Sequence, residues 1–492
     1  MGRSKKEILI ECGKDRRATG YYSTPPQIAK YLTRRLLEIN PNGKNVVDPC
    51  VGREELLNEF YKAGKVITGV DIHGHSNHKL CKFICTDFLG LYAKYKKAEL
   101  LRCNVFDPLE FDYWIANPPY NCHEVDYIKN NKKHLSEIFE DVGVHNMYSM
   151  FISSIIDMAK NDAVIGIITL DSFLTSKAHT ALRKKIISET TILDVILCPT
   201  DLFLDQSADV RTCLLVMVKG KPRNVRVNLL NRVTLKEDFY SKLEKRAFAS
   251  SELNDILLTG NRDNFEFMID VPKRIKALFE NKRIGELFNC VTGISTGDDK
   301  IYLSSEKKDG YNIPFYKNPG SRKFYCTEDA YLIDSFLDVS RTVSNFMVRN
   351  TNVLFKPGIT CSSMGVEFSA CYLPQNSAFG VNPNIICEEN DIWWLLGYMN
   401  SDLVKFIVRG VLIRTNMVTS GYISRLPVPD FSLETKGRIS ELAKDAYELA
   451  KTGKSVSFIL EKINSIINHS IKLDDETKLT IKEFCLQIVK RT

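Results

Sequence analysis

The first 230 residues alternate short apolar runs with segments whose apolar positions recur at helical spacing. NVVDP (45–49), KVITGVDI (65–72), KFICTD (82–87), FDYWIA (111–116), AVIGIITL (163–170), TILDVILC (191–198) and RTCLLVMVK (211–219) read as strands. REELLNEFYKAG (53–64), stopped by Gly64, reads as a helix, as do NMYSMFISSIIDMAK (146–160) and SKAHTALRKKIISE (176–189). In the second of these Met147, Met150, Phe151, Ser154, Ile155 and Met158 fall near one face. Strands that are apolar at every position are buried on both sides, so the pattern predicts an open, doubly wound α/β sheet covered by helices. After about residue 275 short, aromatic, turn-rich segments take over, and 431–492 returns to helical spacing with Leu442, Ala446, Leu449 and Ala450 on one face. The expected division is a sheet domain over 1–235, a connection over 236–275, a mixed domain over 276–430 and a helical segment over 431–492.

In open α/β sheets ligands bind at the carboxyl ends of the strands. Four successive strands here end in Asp48, Asp71, Asp87 and Asn117. Any one of them alone reads as a turn or cap residue; four in order read as a site. Asp48 opens DPCVG, where Gly52 lets backbone approach a ligand closely. Asp71 lies where an acid accepts ribose hydroxyls, about 20 residues on, and Asp87 is placed to accept an exocyclic adenine amine. No GxGxxG follows the first strand, which argues against a dinucleotide. A cofactor with one adenosine and a short charged tail fits better, and S-adenosylmethionine is one.

IANPPYN (115–121) then acquires a meaning. Pro118 and Pro119 cannot continue a ladder, so the strand ends in a stiff loop. The Asn117 side-chain oxygen and the Pro118 carbonyl are adjacent acceptors that suit an NH2 group with two donors. Tyr120 offers a face to a planar base, and such stacking contributes about 1–3 kcal/mol, against a cost of a few kcal/mol for flipping a base out of a duplex. Pairing both amine hydrogens aims the nitrogen lone pair at a methyl donor, so direct transfer is expected, with no covalent enzyme intermediate and dispensable cysteines.

Composition narrows this further. The 14 cysteines in a chain of 492 residues, with a polar, charged start, fit a reduced cytoplasmic protein, and no apolar run is long enough to span a membrane. Cys81 and Cys85 follow His73, His75 and His78, but no second pair completes a zinc set; buried thiols and no metal are expected. The net charge of +7 is mild but uneven: residues 219–246 carry nine Lys or Arg against Glu237, Asp238 and Glu244. That stretch reads either as a phosphate track or as a solvated face.

Taken in order, these motifs resemble the N6-adenine DNA methyltransferases of restriction–modification systems in the γ arrangement. GYYSTPPQIAKYL (20–32) resembles their N-terminal cofactor motif, with Tyr22, Thr24 and Pro25. VVDPCVG resembles the first sheet motif (Asp48, Pro49, Gly52), GVDI the ribose motif (Asp71, Ile72), CTDF the adenine-amine motif (Asp87, Phe88) and NPPY the catalytic motif. Phe203, before VRTCLLVMV, matches the position whose Phe packs on the flipped adenine, and reads equally as a core aromatic. NCVTGISTGDDKIYL (289–303), LLGYMNSDLVKFIV (395–408) and ISRLPVPD (423–430) resemble parts of the target recognition domain, where Lys300, Tyr302, Arg414 and Asn416 are candidate contacts. The resemblance implies a seven-stranded Rossmann-like sheet, S-adenosylmethionine and double-stranded DNA held between the sheet domain and 276–430, and leaves open whether a cognate restriction endonuclease is a partner. One position departs: the family pattern DPxxGxG has Glu54 in place of its second glycine. An RNA base-amine methyltransferase, a partner-dependent modification subunit and a binding-only protein remain alternatives. PDFSLETK (429–436) has the residues of a nuclease motif at too short a spacing.

Overall fold

The computed structural model describes residues 20–74, 78–97, 106–120, 126–206, 210–269, 271–364, 367–413 and 417–489. Two compact units divide the chain, Met1–Asp270 and Val271–Thr492.

The first unit is built on one sheet. Its strands are β1 (Asn45–Asp48), β2 (Val66–Asp71), β3 (Lys82–Cys85), β4 (Tyr113–Ala116), β5 (Val164–Leu170), β6 (Thr190–Leu197), β7 (Thr212–Lys219), β8 (Arg226–Leu230) and β9 (Ala249–Glu252). They lie in the order β3-β2-β1-β4-β5-β7-β6-β8-β9. The seven expected strands are present, extended by β8 and β9 beyond β6. β1 to β5 are parallel, whereas β7 runs antiparallel to both β5 and β6. The β6–β7 connection carries no crossover helix, so the chain doubles back beside β6.

Successive strand residues feed opposite faces, as a pleat requires. Val46 joins one core and Val47 the other. On the Val46 side lie α1 (Pro26–Ile39), α2 (Asn58–Lys62) and α7 (Lys236–Lys245); on the other lie α3 (Phe88–Lys96), α4 (Asp126–Ile138), α5 (Met147–Met158) and α6 (Thr180–Glu189). α1 sits hard on β5: a Cβ at Gly166 would meet Leu36 at 2.6 Å and Leu32 at 2.7 Å. The fully buried Asp194 on β6 fastens it, accepting from Arg35 at 2.7 and 3.1 Å and from Asn228 at 2.7 Å.

Two expectations change here. The helix expected over 53–64 is only Asn58–Lys62, because Gly52 and Glu54 both take positive φ and keep the preceding segment in turns. Residues 236–269 are not a bare connection: α7 packs Phe239 and Leu243 into one core, β9 pairs with β8, and Phe267 and Ile269 enter the other core.

The second unit holds two small sheets. One has the order β10-β17-β14-β15 (Asn289–Val291, Asn384–Ile386, Gly358–Cys361, Ala370–Leu373), the other β11-β13-β12-β16 (Leu303–Ser304, Ala330–Leu332, Ile313–Tyr316, Ala378–Phe379). Helices α8 (Glu389–Met399), α9 (Leu433–Lys451), α10 (Ser457–Ser470) and α11 (Asp475–Val489) complete it. The buried face of α9 is Ile439, Ala443 and Ala446, with Leu442, Leu449 and Ala450 only half-buried beside it. Gly397 of α8 allows the close crossing, since a Cβ there would meet Ile439 at 2.5 Å. No helix among the described residues is long and apolar enough to cross a membrane.

Candidate active site

The order of strands reverses between β1 and β4, and this switch point is where an open α/β sheet forms its crevice. Asp48 ends β1 on one side of it; Asn117 follows β4 on the other.

The Asn117 side-chain nitrogen donates to the Tyr22 carbonyl at 2.8 Å and to Thr24 Oγ1 at 3.0 Å. A carbonyl can only accept, so these bonds fix which end of the amide is nitrogen. The opposite end, Asn117 Oδ1, is buried and has no hydrogen-bond partner among the described residues. Leaving a buried acceptor unpaired costs about 1–3 kcal/mol. Tyr22 and Thr24 therefore act at least partly by positioning Asn117. Ser23, between them, is held by Gln206, which accepts from its N–H at 3.0 Å and donates to its carbonyl at 2.8 Å. Gln206 had no signal in the sequence, because the pairing spans 183 residues.

Tyr120 is buried, and its hydroxyl is also without a partner among the described residues. Tyr22 stacks on its ring with centroids 5.1 Å apart at 24°. Phe203, fully buried, meets Tyr120 at 6.2 Å and 77° and Tyr22 at 5.7 Å and 63°. Phe203 thus closes the edge of the aromatic group; it does not face Tyr120 across a parallel gap, as a clamp on a base would. Pro118 is buried and Pro119 half-buried behind the ring, and Pro25 precedes α1.

The three acids have local partners. Asp48 Oδ1 accepts from the Cys50 N–H at 3.0 Å. Burial pushes its carboxyl well up, with Asp71 and Glu55 adding to the effect. Asp71 accepts from the Gly52 N–H at 3.0 Å and the His73 N–H at 2.9 Å, which ties the β1 loop to the β2 end. Gly52 has φ +52°, and a Cβ there would meet the Tyr21 ring at 2.7 Å, so glycine is required. Asp87 caps α3 through the Leu89 N–H at 3.0 Å and accepts from the Tyr127 hydroxyl at 2.6 Å. Pro49 is buried beneath this edge, while Ile72 is 50% exposed and free to cover an adenine. Phe88 departs from expectation: it is buried against Trp114 and Phe151, so its ring belongs to the core.

Glu54, the departure from the family pattern, occupies a left-handed position at φ +64°, which explains why glycine is usual there. It is neither in a helix nor turned toward the crevice. Its carboxylate accepts the N–H groups of Lys79, Leu80 and Cys81 at 3.1, 2.9 and 3.1 Å. Burial works to raise its pKa, but these donors outweigh it and hold the carboxyl below its usual range.

The basic stretch is largely paired. Lys219 meets Glu189 at 2.8 Å, Lys236 meets Asp205 at 2.8 Å, Lys242 meets Asp238 at 3.1 Å, and Arg223, Arg232 and Arg246 contact Asp162, Asp171 and Glu38. In the second unit Lys300 and Tyr302 lie beside and within the turn at Asp298, which accepts from the Lys300 N–H at 3.0 Å; Arg414 and Asn416 lie outside the described residues.

Could this edge hold S-adenosylmethionine? The residues fit: a glycine turn that tolerates no side chain, an acid at the end of β2, an exposed apolar Ile72 beside it and the unpaired Asn117 oxygen share one sheet edge.

Residues 8–270 match the model of the family described as N-6 DNA Methylase. A protein of Methanocaldococcus jannaschii, named as a type II restriction enzyme and methyltransferase, is 22% identical over 314 residues. That match takes in 61% of this chain but only a quarter (25%) of the relative. Among solved structures, the Type IIL restriction-modification enzyme MmeI in complex with DNA aligns with TM-score 0.63 at 9% identity, over 97% of this chain and 79% of that one. DrdV in a DNA complex aligns with TM-score 0.55 at 10% identity, over 88% and 58%. At such identities these likenesses speak for the fold.

Proposed function

The chain belongs to the N-6 DNA methylase family, and we propose that it transfers a methyl group from S-adenosylmethionine to N6 of an adenine flipped out of a short DNA sequence, as in restriction–modification. One observation carries this reading: Asn117 Oδ1 is a buried acceptor held in place with no partner among the described residues.

In this reading the target amine donates to Asn117 Oδ1 and to the Pro118 carbonyl. Those two bonds orient the nitrogen lone pair and draw electron density onto it. The stiffness of the Pro118–Pro119 loop supplies the geometry beforehand, which is how positioning lowers a barrier. The base stacks on Tyr120 after Tyr22 leaves that ring, so one aromatic contact replaces another. Asp71 and Ile72 would hold the ribose and adenine of the cofactor, Asp87 its exocyclic amine, and Asp48 the segment between them. When bound, S-adenosylmethionine supplies an electrophilic methyl on a sulfonium. Cys50, near the Asn117 backbone, has its thiol pushed well up by burial and so is poorly suited to attack a base. The second unit is proposed to read the DNA sequence, and a cognate restriction endonuclease is proposed as partner; the name of the M. jannaschii relative joins restriction and methylation in one protein.

Native-DNA sequencing tests the substrate class. Expressed in a host without its own methylases, the chain is expected to place N6-methyladenine at one short recurring sequence. An unmodified genome from folded protein would overturn the DNA reading in favour of an RNA base amine or a required partner subunit.

A further inference from the structure

Glu54, His78 and Cys81 form a cluster on the loops that follow β1 and precede β3, none of them a residue proposed to touch the target base. Their ligand atoms (a carboxylate oxygen, an imidazole nitrogen and the Cys81 sulfur) all lie within 4.8 Å of one another. We propose that these three residues bind a divalent cation of the zinc class, which pins the β1–α2 turn to the β2–β3 loop.

The observation that calls for a ligand is His78. Its side chain is 4% exposed, and neither ring nitrogen has a hydrogen-bond partner among the described residues. Nδ1 lies 3.7 Å from Glu54 Oε1, too far for a hydrogen bond. Two ligands on one tetrahedral zinc, each about 2.0–2.3 Å from the metal, stand roughly 3.3–3.6 Å apart. The imidazole and the Glu54 carboxylate group therefore stand at about the separation of two ligand groups around one ion, with Oε1 the oxygen nearer the ring. Each group is also held from behind. The imidazole stacks on Phe83 at 3.9 Å and 22°. The Cys81 sulfur packs over Gly69, where a Cβ would meet it at 2.6 Å, and the Cys81 N–H donates to Glu54 at 3.1 Å. Glu54 takes two backbone donors on Oε1 and one on Oε2, and the Cys81 thiol donates to it as well, so an ion would take the place of the thiol proton between Cys81 and Glu54.

The donor set decides the cation. One nitrogen, one oxygen and one sulfur suit zinc, whereas magnesium and calcium want oxygen throughout. Without metal, burial pushes the Cys81 thiol up to about 12. Binding would ionise it and release the proton to solvent. Three protein ligands leave a fourth position on a tetrahedral ion for a further ligand. The site also gives Glu54 a use that glycine at the same position could not supply.

The test uses the full chain, stripped with chelator and titrated with Co2+ and then Zn2+. The expected result is one equivalent per chain and a thiolate-to-cobalt charge-transfer band that zinc displaces. Cys81→Ser should abolish the band, and His78→Asn should weaken binding by at least about tenfold. No uptake by the full chain, or a band that survives Cys81→Ser, would overturn the proposal. If Cys81→Ser does not fold, His78→Asn and Glu54→Gln decide by the same titration: unchanged affinity in both overturns it. Uptake of a proton alone, seen as an imidazole titrating beside Glu54 without metal binding, also overturns it.

Discussion

The carboxyl edge of the sheet carries two kinds of polar residue. Asp71 and Asp87 spend their oxygens on the protein itself: Asp71 on Gly52 and His73, Asp87 on Leu89 and Tyr127. Asn117 spends only its nitrogen, on Tyr22 and Thr24, and keeps a buried oxygen unpaired. In the sequence these residues look alike, each a short polar side chain closing an apolar strand. The difference teaches that a strand end marks a place for a site, while an unspent hydrogen-bonding group marks the chemistry. Removing a spent group should therefore cost stability as well as any cofactor affinity it supplies, and removing the unspent one should cost turnover.

The largest stability effect is expected at Asp194, whose carboxylate is fully buried and takes bonds from Arg35 and Asn228. Asp194→Ala strands Arg35, so unfolding in urea should show a loss of about 3–5 kcal/mol. A change below about 1 kcal/mol would mean that α1 is held by its apolar face alone.

Asp87→Ala comes next. Removing a helix N-cap costs about 1 kcal/mol, and Tyr127 loses its acceptor as well. Thermal unfolding should show this modest loss. Cofactor affinity, measured by calorimetry, should fall as well, because the same carboxylate is proposed to take the exocyclic amine; unchanged affinity would leave Asp87 a helix cap only.

The last effect is a slope with pH rather than a fixed loss. Burial lowers His179 to about 3 from an ordinary 6.5, while its Nε2 sits 3.1 Å from Asn146 Nδ2 and from the Tyr148 hydroxyl. The unfolded chain then binds the proton more readily between those values. Stability is therefore full above pH 6.5 and is lost as pH falls toward 3. This one group contributes at most about 1.4 kcal/mol per pH unit. Denaturation curves of His179→Gln should decline less steeply than wild type between these limits; parallel declines would remove His179 from the account.

Much of this was legible beforehand. The seven apolar runs gave the strands because the central ones, β1 and β4 to β7, are buried on both faces, which leaves no polar alternation to confuse with a helix, whereas β3 lies at the sheet edge. β8 was not legible, since Arg226 and Asn228 interrupt it and its pairing with β6 skips over β7 in the chain. α2 came out shorter than its apolar spacing suggested, because positive φ at Glu54 cannot be read from an apparently good helix former. Phe88 looked like part of a motif yet is held by packing against Trp114, a contact that depends on the whole sheet. Glu54 was legible as a departure from the family pattern, and its role as acceptor for three backbone N–H groups needs the fold of the 78–81 loop.

The central claim is that the Asn117 oxygen receives the target amine. Single-turnover transfer of labelled methyl into DNA, comparing wild type with Asn117→Ala, tests it most directly. Losing one preorganised hydrogen-bonding group should slow the chemical step by about 10²–10³-fold, while urea unfolding shifts by no more than about 2 kcal/mol for the bonds to Tyr22 and Thr24. Transfer within about threefold of wild type would contradict the claim, because one lost acceptor in a buried site cannot be that cheap.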